Sequence, residues 1–429
     1  MQTRSFDVVI TPANLNGIVL APPSKSISHR AVICAGLSET PSILDNIALS
    51  DDVVATLEAM RQFGAVIEEL SLDDNDSKNN TNARHRLRII NSSIRDLKHN
   101  YNTTNEKIIN CNESGSTARF LIPLFHLHDG PVVFKGSSRL SERPFQPYYS
   151  IFDHQKIKYE THLGGLPLTI EGRLKPDEFT LVGNVSSQFV SGLMFILPLL
   201  DGASSLKIIP PLESKDYIEL TTACLKSFGI DIAKYSDLEY HIKGNQKYSG
   251  CNLTIEGDFS QAAFWLVASH IGNEVRVSGL DEHSKQADRA ILDILSRTNT
   301  NQPIDVSQCP DLVPILAVLC ALTPGNTSII NAGRLRFKES DRLKAIATEL
   351  IKMGAKVIEQ VDGLTFEGVE QLRGANVEAW NDHRIAMALA VAATRADGAT
   401  KIYGADCVSK SYPEFWTVYQ ELGGIIDVE

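Results

Sequence analysis

The residues Pro22-Pro23-Ser24-Lys25-Ser26-Ile27-Ser28-His29-Arg30-Ala31 bring one ammonium, three hydroxyls and one guanidinium into a single short stretch. Pro22 and Pro23 forbid a continuing helix or central strand, Ser24 is able to cap, and the apolar run from Ala31 to Leu37 begins a buried helix. Unpaired N–H groups and a partial positive charge at the helix start would then lie beside Lys25, Ser26 and Arg30, which suits an anion. An ordinary serine-capped helix with solvated Lys and Arg would look the same, so other clusters must decide.

Several do. Glu113-Ser114-Gly115-Ser116-Thr117-Ala118-Arg119 is a glycine-bearing loop opening a second helix, and it matches neither a Walker A nor a dinucleotide fingerprint. Arg139-Leu140-Ser141-Glu142-Arg143-Pro144 sets two guanidiniums around a turn, and Ser186-Ser187-Gln188-Phe189 opens an apolar helix running to Leu200. Arg334-Leu335-Arg336-Phe337-Lys338-Glu339-Ser340-Asp341-Arg342 is the densest charge cluster, able to hold a carboxylate for proton transfer beside a bound anion. Val408-Ser409-Lys410-Ser411-Tyr412-Pro413 adds a lysine at one more helix entrance. The net charge of −11 has the wrong sign for a nucleic-acid binder, so the local Lys/Arg clusters point to a small, dense anion such as a phosphorylated or carboxylated metabolite.

The elements that must carry these residues form a repeating pattern. An amphipathic helix, a glycine and a short apolar strand recur at Met60–Ile67, Leu225–Ile232, Ile351–Ile358 and Glu421–Val428. In each copy the glycine stands where a helix end wants a left-handed residue, and the repetition predicts a fold assembled from α/β units. Apolar helices with polar entrances follow Asp258, Asp311 and Asn381; being apolar nearly all round they belong inside a domain, their entrances converging on one rim. A polar stretch from Asp73 to Lys107 reads as loop or hairpin tip around one short strand near Leu87–Ile90.

The 429 residues, 43% hydrophobic, allow two sizeable domains. Met1–Asp7 carries no apolar signal region and no run is long enough to span a bilayer, so a cytoplasmic protein with no membrane contact is expected. Seven widely spaced cysteines without a C-x-x-C pair predict neither a disulfide framework nor a zinc site; most should be small core residues.

Taken in order, Pro-Ser-Lys-Ser-Ile-Ser-His-Arg, Gly-Ser-Thr-Ala-Arg, Glu-Arg-Pro, Ser-Ser-Gln-Phe, Lys-Glu-Ser-Asp-Arg-Leu, Asn-Asp-His-Arg-Ile-Ala-Met and Ser-Lys-Ser-Tyr-Pro resemble the 5-enolpyruvylshikimate-3-phosphate synthase family of enolpyruvyl transferases over nearly the whole chain. The resemblance implies an enzyme of aromatic amino acid (chorismate) biosynthesis that transfers the enolpyruvyl group of phosphoenolpyruvate to the 5-hydroxyl of shikimate 3-phosphate. Phosphate would leave through a tetrahedral intermediate, with no cofactor and no metal. It implies an α/β fold of two similar domains, each of three βαβαββ repeats around buried helices, with the active site in the cleft between them. Residues 1–20 plus 254–429 would form one domain and 21–253 the other.

Carried over by motif, the catalytic residues would be Lys25, Asp311 and Glu339. Asp311 would orient or deprotonate the attacking hydroxyl, although in Cys309-Pro310-Asp311-Leu312 it also reads as a helix cap; Glu339, with Lys25 nearby, would handle protonation of the methylene carbon. Shikimate 3-phosphate would be held by Lys25, Ser26, Arg30, Ser186, Ser187, Gln188, Ser214, Tyr217, Asp311 and Lys338. Phosphoenolpyruvate would be held by Lys25, Arg143, Gln188, Arg342, Arg384 and Lys410, with Glu113 beside it and Gly115 giving close backbone approach. Two positions depart from the family pattern: Glu113 and Arg334 each stand where Asn is common, which would alter affinity or inhibitor sensitivity rather than the reaction. Because Gly115 is kept, glyphosate is an expected inhibitor, and the chain is expected to act as a monomer.

Three rivals fare worse. UDP-N-acetylglucosamine enolpyruvyl transferase uses a cysteine in a mobile loop, and Arg139 to Tyr149 contains none. A nucleic-acid-acting relative needs a basic face, and a non-catalytic anion-binding relative would be expected to have lost Lys25, Asp311 or Glu339.

Overall fold

The structure, a computed structural model, describes residues 5–71, 84–91, 106–128, 130–143, 145–297 and 302–429. Most of the polar stretch expected to form a loop or hairpin tip, at 72–83 and 92–105, lies outside the described residues; within it the expected short strand is present as His85–Ile90. The chain divides into two compact units, residues 1–24 with 256–429, and residues 25–255. It therefore passes between them twice. The backbone explains where: Ser24 N–H donates to the Glu256 carbonyl and Asp258 N–H to that of Pro22, so both strands of the crossing are paired inside the first unit.

Five four-stranded sheets share one plan. In the sheet ordered Lys107–Asn110, Val132–Lys135, Gly165–Glu171, Lys158–His162, the first two strands are parallel and the others antiparallel to their neighbours. The sheets led by Glu178–Val182 and by Ile304–Asp305 repeat that order from consecutive strands. Two more are completed from a distance: Asn252–Thr254 pairs in parallel with Ser42–Ile47, and Val8–Thr11 enters between Thr400–Tyr403 and Ile425–Val428. The sixth repeat is reduced among the described residues to Asn16–Leu20 parallel with Glu274–Ser278. In the three sheets built from consecutive strands, one central α-helix stands between the two parallel strands in sequence, the crossover such a pair needs.

The amphipathic helices Asp51–Gln62, Lys215–Ser227, Arg342–Lys352 and Phe415–Glu421 each end at the glycine expected from the repeat, and Gly64, Gly229, Gly354 and Gly423 all take positive φ. Three apolar helices form the centre of each unit. In one they are Phe259–His270, Val313–Leu322 and His383–Ala393, the last buried at every residue. In the other they are Lys25–Gly36, Gly115–Leu124 and Ser187–Ile196, whose residues outside the core lie only in the first turn. A helix buried all round can present polar groups only at its ends, so these first turns are where chemistry is possible. All seven cysteines are free, six of them buried. Among the described residues no helix is long and apolar enough to cross a membrane.

Candidate active site

In the unit spanning 25–255, the first helix starts at Lys25, directly after Ser24, so Arg30 falls in the second turn and is buried. Its Nε donates to Thr221 Oγ1 (2.8 Å) and its terminal nitrogens to the Ser26 and Tyr217 carbonyls (2.7 and 3.1 Å), while the guanidinium lies over Phe120. Burial lowers its pKa to about 10, so it remains charged at neutral pH. Lys25 Nζ is paired with Asp52 Oδ2 at 2.9 Å. Behind them His29 Nδ1 meets Thr56 Oγ1; burial, then Lys25 and Arg30, hold its pKa well below the ordinary value, leaving it neutral.

The first turns of the other two helices meet at a hydrogen-bonded seam. Gln188 Nε2 donates to Ser116 Oγ (2.9 Å) and Arg119 NH1 to Gln188 Oε1 (2.8 Å), with the Arg119 guanidinium over Phe145 and Phe189. Gly115 makes this crowding possible: a Cβ there would lie 2.8 Å from Arg143 NH1 and 2.9 Å from Arg119 NH1. Ser114 caps the helix at Thr117 N–H, and Ser186 caps the next at Gln188 N–H, with Ser187 buried beside it. Glu113 sits half-buried in the turn before Ser114. Ser214, in the left-handed region at φ 55°, precedes the helix carrying Tyr217 and makes no side-chain cap bond.

The other unit builds its site on a buried ion cluster. Arg342, 1% exposed, donates NH1 to Asp311 Oδ1 (3.0 Å), NH2 to Glu339 Oε2 (2.7 Å) and Nε to Asp382 Oδ2 (2.8 Å). Arg384 donates NH2 to Asp311 Oδ2 (3.0 Å) and NH1 to Ser260 Oγ (2.6 Å) and the Asp311 carbonyl (3.1 Å), tying together the starts of all three central helices. Lys338 Nζ lies 3.5 Å from Asp311 Oδ1. Burial works to raise the Asp311 pKa, but Arg384, Lys338 and Arg342 outweigh it and hold the carboxyl well below the usual range. Lys338 is shifted downward, by burial above all and then by Arg342 and Arg334, against the pull of Asp311 and Glu339. Lys410 Nζ donates to both the carbonyl and the Oδ1 of Asn381 at 2.7 Å.

The residues expected from the sequence thus fall into two sets, one in each unit. Lys25, Ser26, Arg30, Glu113, Gly115, Arg143, Ser186, Ser187, Gln188, Ser214 and Tyr217 belong to one unit, and Asp311, Lys338, Glu339, Arg342, Arg384 and Lys410 to the other. One expectation is corrected. Asp311 is not a helix cap: it lies in the short turn Pro310–Leu312 and its carboxylate accepts from Arg342, Arg384 and Lys338 instead. Asp341, by contrast, is structural, capping Lys344 N–H and pairing with Arg336. Arg334 donates to the Ser307 carbonyl, so it braces the turn leading to Asp311.

Sequence reasoning gave no role to Asp52, Arg119 or Asp382. Arg119 and Asp382 were visible as charged residues at helix entrances, whereas Asp52 reads only as the acidic first turn of an amphipathic helix. Among the described residues no group of three or more His, Cys, Asp or Glu is placed to hold a metal ion. Each set is an arrangement of carboxylates and cations suited to holding phosphate and carboxylate groups by Arg and Lys and to moving protons.

The family model described as EPSP synthase (3-phosphoshikimate 1-carboxyvinyltransferase) matches residues 9–419. The chain is 48% identical to the 3-phosphoshikimate 1-carboxyvinyltransferase of Clostridium acetobutylicum over 97% of both chains. It is 47% identical to that of Clostridium kluyveri over 98% of both. A solved EPSP synthase structure from Acinetobacter baumannii superposes with a TM-score of 0.79, covering 99% of this chain and all of that one, at 23% identity; it shows the shared fold.

Proposed function

The chain belongs to the EPSP synthase family, and from that premise we propose how its residues carry out the transfer. The reaction moves the enolpyruvyl group of phosphoenolpyruvate to the 5-hydroxyl of shikimate 3-phosphate and releases phosphate. The observation that carries the residue assignment is Asp311, an ionised carboxylate held among Arg342, Arg384 and Lys338.

Phosphoenolpyruvate is held through its phosphate and carboxylate by Lys25, Arg143, Gln188, Arg342, Arg384 and Lys410. Glu113 and Gly115 lie beside it. Shikimate 3-phosphate is held by Ser26, Ser186, Ser187, Ser214, Tyr217 and Lys338, by the N–H groups that Arg30 does not spend on Thr221, Ser26 and Tyr217, and by Lys25, Gln188 and Asp311. Asp311 orients the 5-hydroxyl and draws off its proton as the oxygen attacks C2 of phosphoenolpyruvate. Glu339, with Lys25, delivers a proton to the methylene carbon, giving the tetrahedral intermediate. Loss of a proton from that methyl group to Glu339 and departure of phosphate, which takes the proton held by Asp311, restore the double bond and return both carboxylates to their starting state. Charge-assisted forks from Arg serve these anions where a metal would otherwise be needed.

The test is phosphate release with phosphoenolpyruvate plus shikimate 3-phosphate, run beside UDP-N-acetylglucosamine as acceptor. Release with the shikimate ester alone is expected, and its absence would overturn the reading. Lys25→Ala and Glu339→Ala should each lower kcat about 100-fold, the scale of a lost acid–base group, and near-normal turnover removes that role. Gly115→Ala pushes the Arg143 and Arg119 guanidiniums aside. It should raise KM for phosphoenolpyruvate about tenfold and leave that for shikimate 3-phosphate unchanged; an equal rise in both would show a general distortion instead. Glyphosate is assigned as a competitor of phosphoenolpyruvate, checked by its pattern of inhibition, and the protein as a cytoplasmic monomer, checked by its sedimentation mass and by cell fractionation.

A further inference from the structure

Among the described residues, one carboxylate with no solvent exposure lies outside the cluster just described. It is Glu349, in the helix Arg342–Lys352, and its side chain bonds to Lys352, Glu378 and Trp380, none of which is assigned to either substrate. Its Oε1 accepts Trp380 Nε1–H at 2.7 Å; its Oε2 accepts Glu378 N–H at 3.0 Å and Lys352 Nζ at 2.7 Å. Burying a charge is costly unless it is paired and hydrogen-bonded, and three donors are what this one has gathered.

Those donors lead to an unusual piece of backbone. Trp380 and Asn381 both lie in the left-handed region, at φ 55° and 50°, although neither is glycine. Such a residue persists only when its surroundings hold it there. The segment they form carries three anchors in succession. Asn381 accepts Lys410 at two atoms, Asp382 accepts Arg342 and Ser340, and Asp382 also caps Arg384 N–H. Glu349 lies seven residues after Arg342, hence on the same helical face two turns along. One face of this helix therefore grips the segment at both ends, Arg342 at Asp382 and Glu349 at Trp380.

We propose that Glu349 is a positioning residue: by fixing the left-handed Trp380-Asn381 turn it sets Lys410, Arg342 and Arg384 for the phosphoenolpyruvate phosphate and carboxylate. This rests on the function proposed above. In Glu349→Gln the amide cannot accept from all three donors, so the turn relaxes and Lys410 loses its two anchors. Trp380→Phe removes the indole N–H, with part of the ring, and leaves the other two Glu349 donors in place; it is kept in case the first variant folds poorly.

Steady-state kinetics on both variants should show KM for phosphoenolpyruvate raised about tenfold and KM for shikimate 3-phosphate within twofold of wild type, the scale of one lost charge-assisted hydrogen bond. Equal KM values to wild type, or an equal rise for both substrates, would overturn the proposal even if the melting temperature falls. A crystal structure of Glu349→Gln separates this from the reaction itself. Loss of the Lys410–Asn381 contacts supports positioning, an unmoved turn overturns it, and a wild-type enzyme that releases no phosphate fails the function while leaving this structural readout intact.

Discussion

Asp311→Asn is expected to lower kcat by about three orders of magnitude, within the range for a positioned acid–base group, without raising KM for either substrate. The carboxylate is flanked by Arg342 NH1 and Arg384 NH2, both at 3.0 Å, and by Lys338 at 3.5 Å. Asparagine keeps the shape and one acceptor but removes the negative charge. Three cations are then less compensated, so anionic substrates bind at least as tightly, while the 5-hydroxyl loses the group that takes its proton. A fall in kcat with unchanged or lowered KM is the signature; a matched rise in both KM values with little change in kcat would assign Asp311 to binding alone.

The same carboxyl sets a stability trend with pH. Its folded pKa lies well below the unfolded value near 3.8, so its contribution is fully present above about pH 4 and is lost as pH falls through the folded value. Asp311→Asn should flatten the acid limb of the melting temperature. Neutral and alkaline stability should change little for this reason, and the neutral pH–rate profile of the wild type owes nothing to Asp311 titrating.

The repeats show where local chemistry is enough to read a fold and where it is not. Four copies of helix, glycine and strand were legible because glycine is the residue that a left-handed helix end asks for. A further copy was invisible: the helix Gln146–Gln155 ends at Lys156, φ 55°, before the strand Lys158–His162, so the backbone repeats but the marker does not. The two sheets completed by Asn252–Thr254 and Val8–Thr11 were equally hidden, since nothing local records that a strand will pair more than two hundred residues away.

The site follows the same rule. Lys25, Gly115, Gln188 and Arg384 stand at helix entrances, where residue type and position speak together. Asp52, in the acidic first turn of one amphipathic helix, and Glu349, inside another, stand where a carboxylate ordinarily faces water, and only tertiary packing turns them inward. Asp311 failed as a cap for a related reason. A carboxylate at a helix entrance competes between backbone N–H groups and nearby guanidiniums, and two arginines from distant sequence won.

Asp382→Ala should cost about 3–5 kcal/mol of unfolding free energy, the scale for removing one partner of a buried ion pair. Asp382 has no solvent exposure and accepts from Arg342 Nε at 2.8 Å and NH2 at 3.3 Å, Ser340 Oγ at 3.0 Å and Arg384 N–H at 3.0 Å. Burial works against the Arg342 charge, and Asp382, Glu339 and Asp311 together, Asp382 foremost, more than offset it. Alanine leaves the Arg342 Nε without its acceptor in the core and strips the cap from the helix His383–Ala393, itself worth about 1 kcal/mol. Asp382→Asn keeps an acceptor for the cap and loses the charge, so it should fall between the two in urea denaturation. An alanine variant within about 1 kcal/mol of wild type would mean that Asp311 and Glu339 suffice to hold Arg342, and that the buried pair is dispensable. Because Glu349 grips the same turn through Trp380, the Asp382 and Glu349 substitutions should not add: a coupling above about 0.5 kcal/mol in the double mutant is expected, and strict additivity would show two independent anchors.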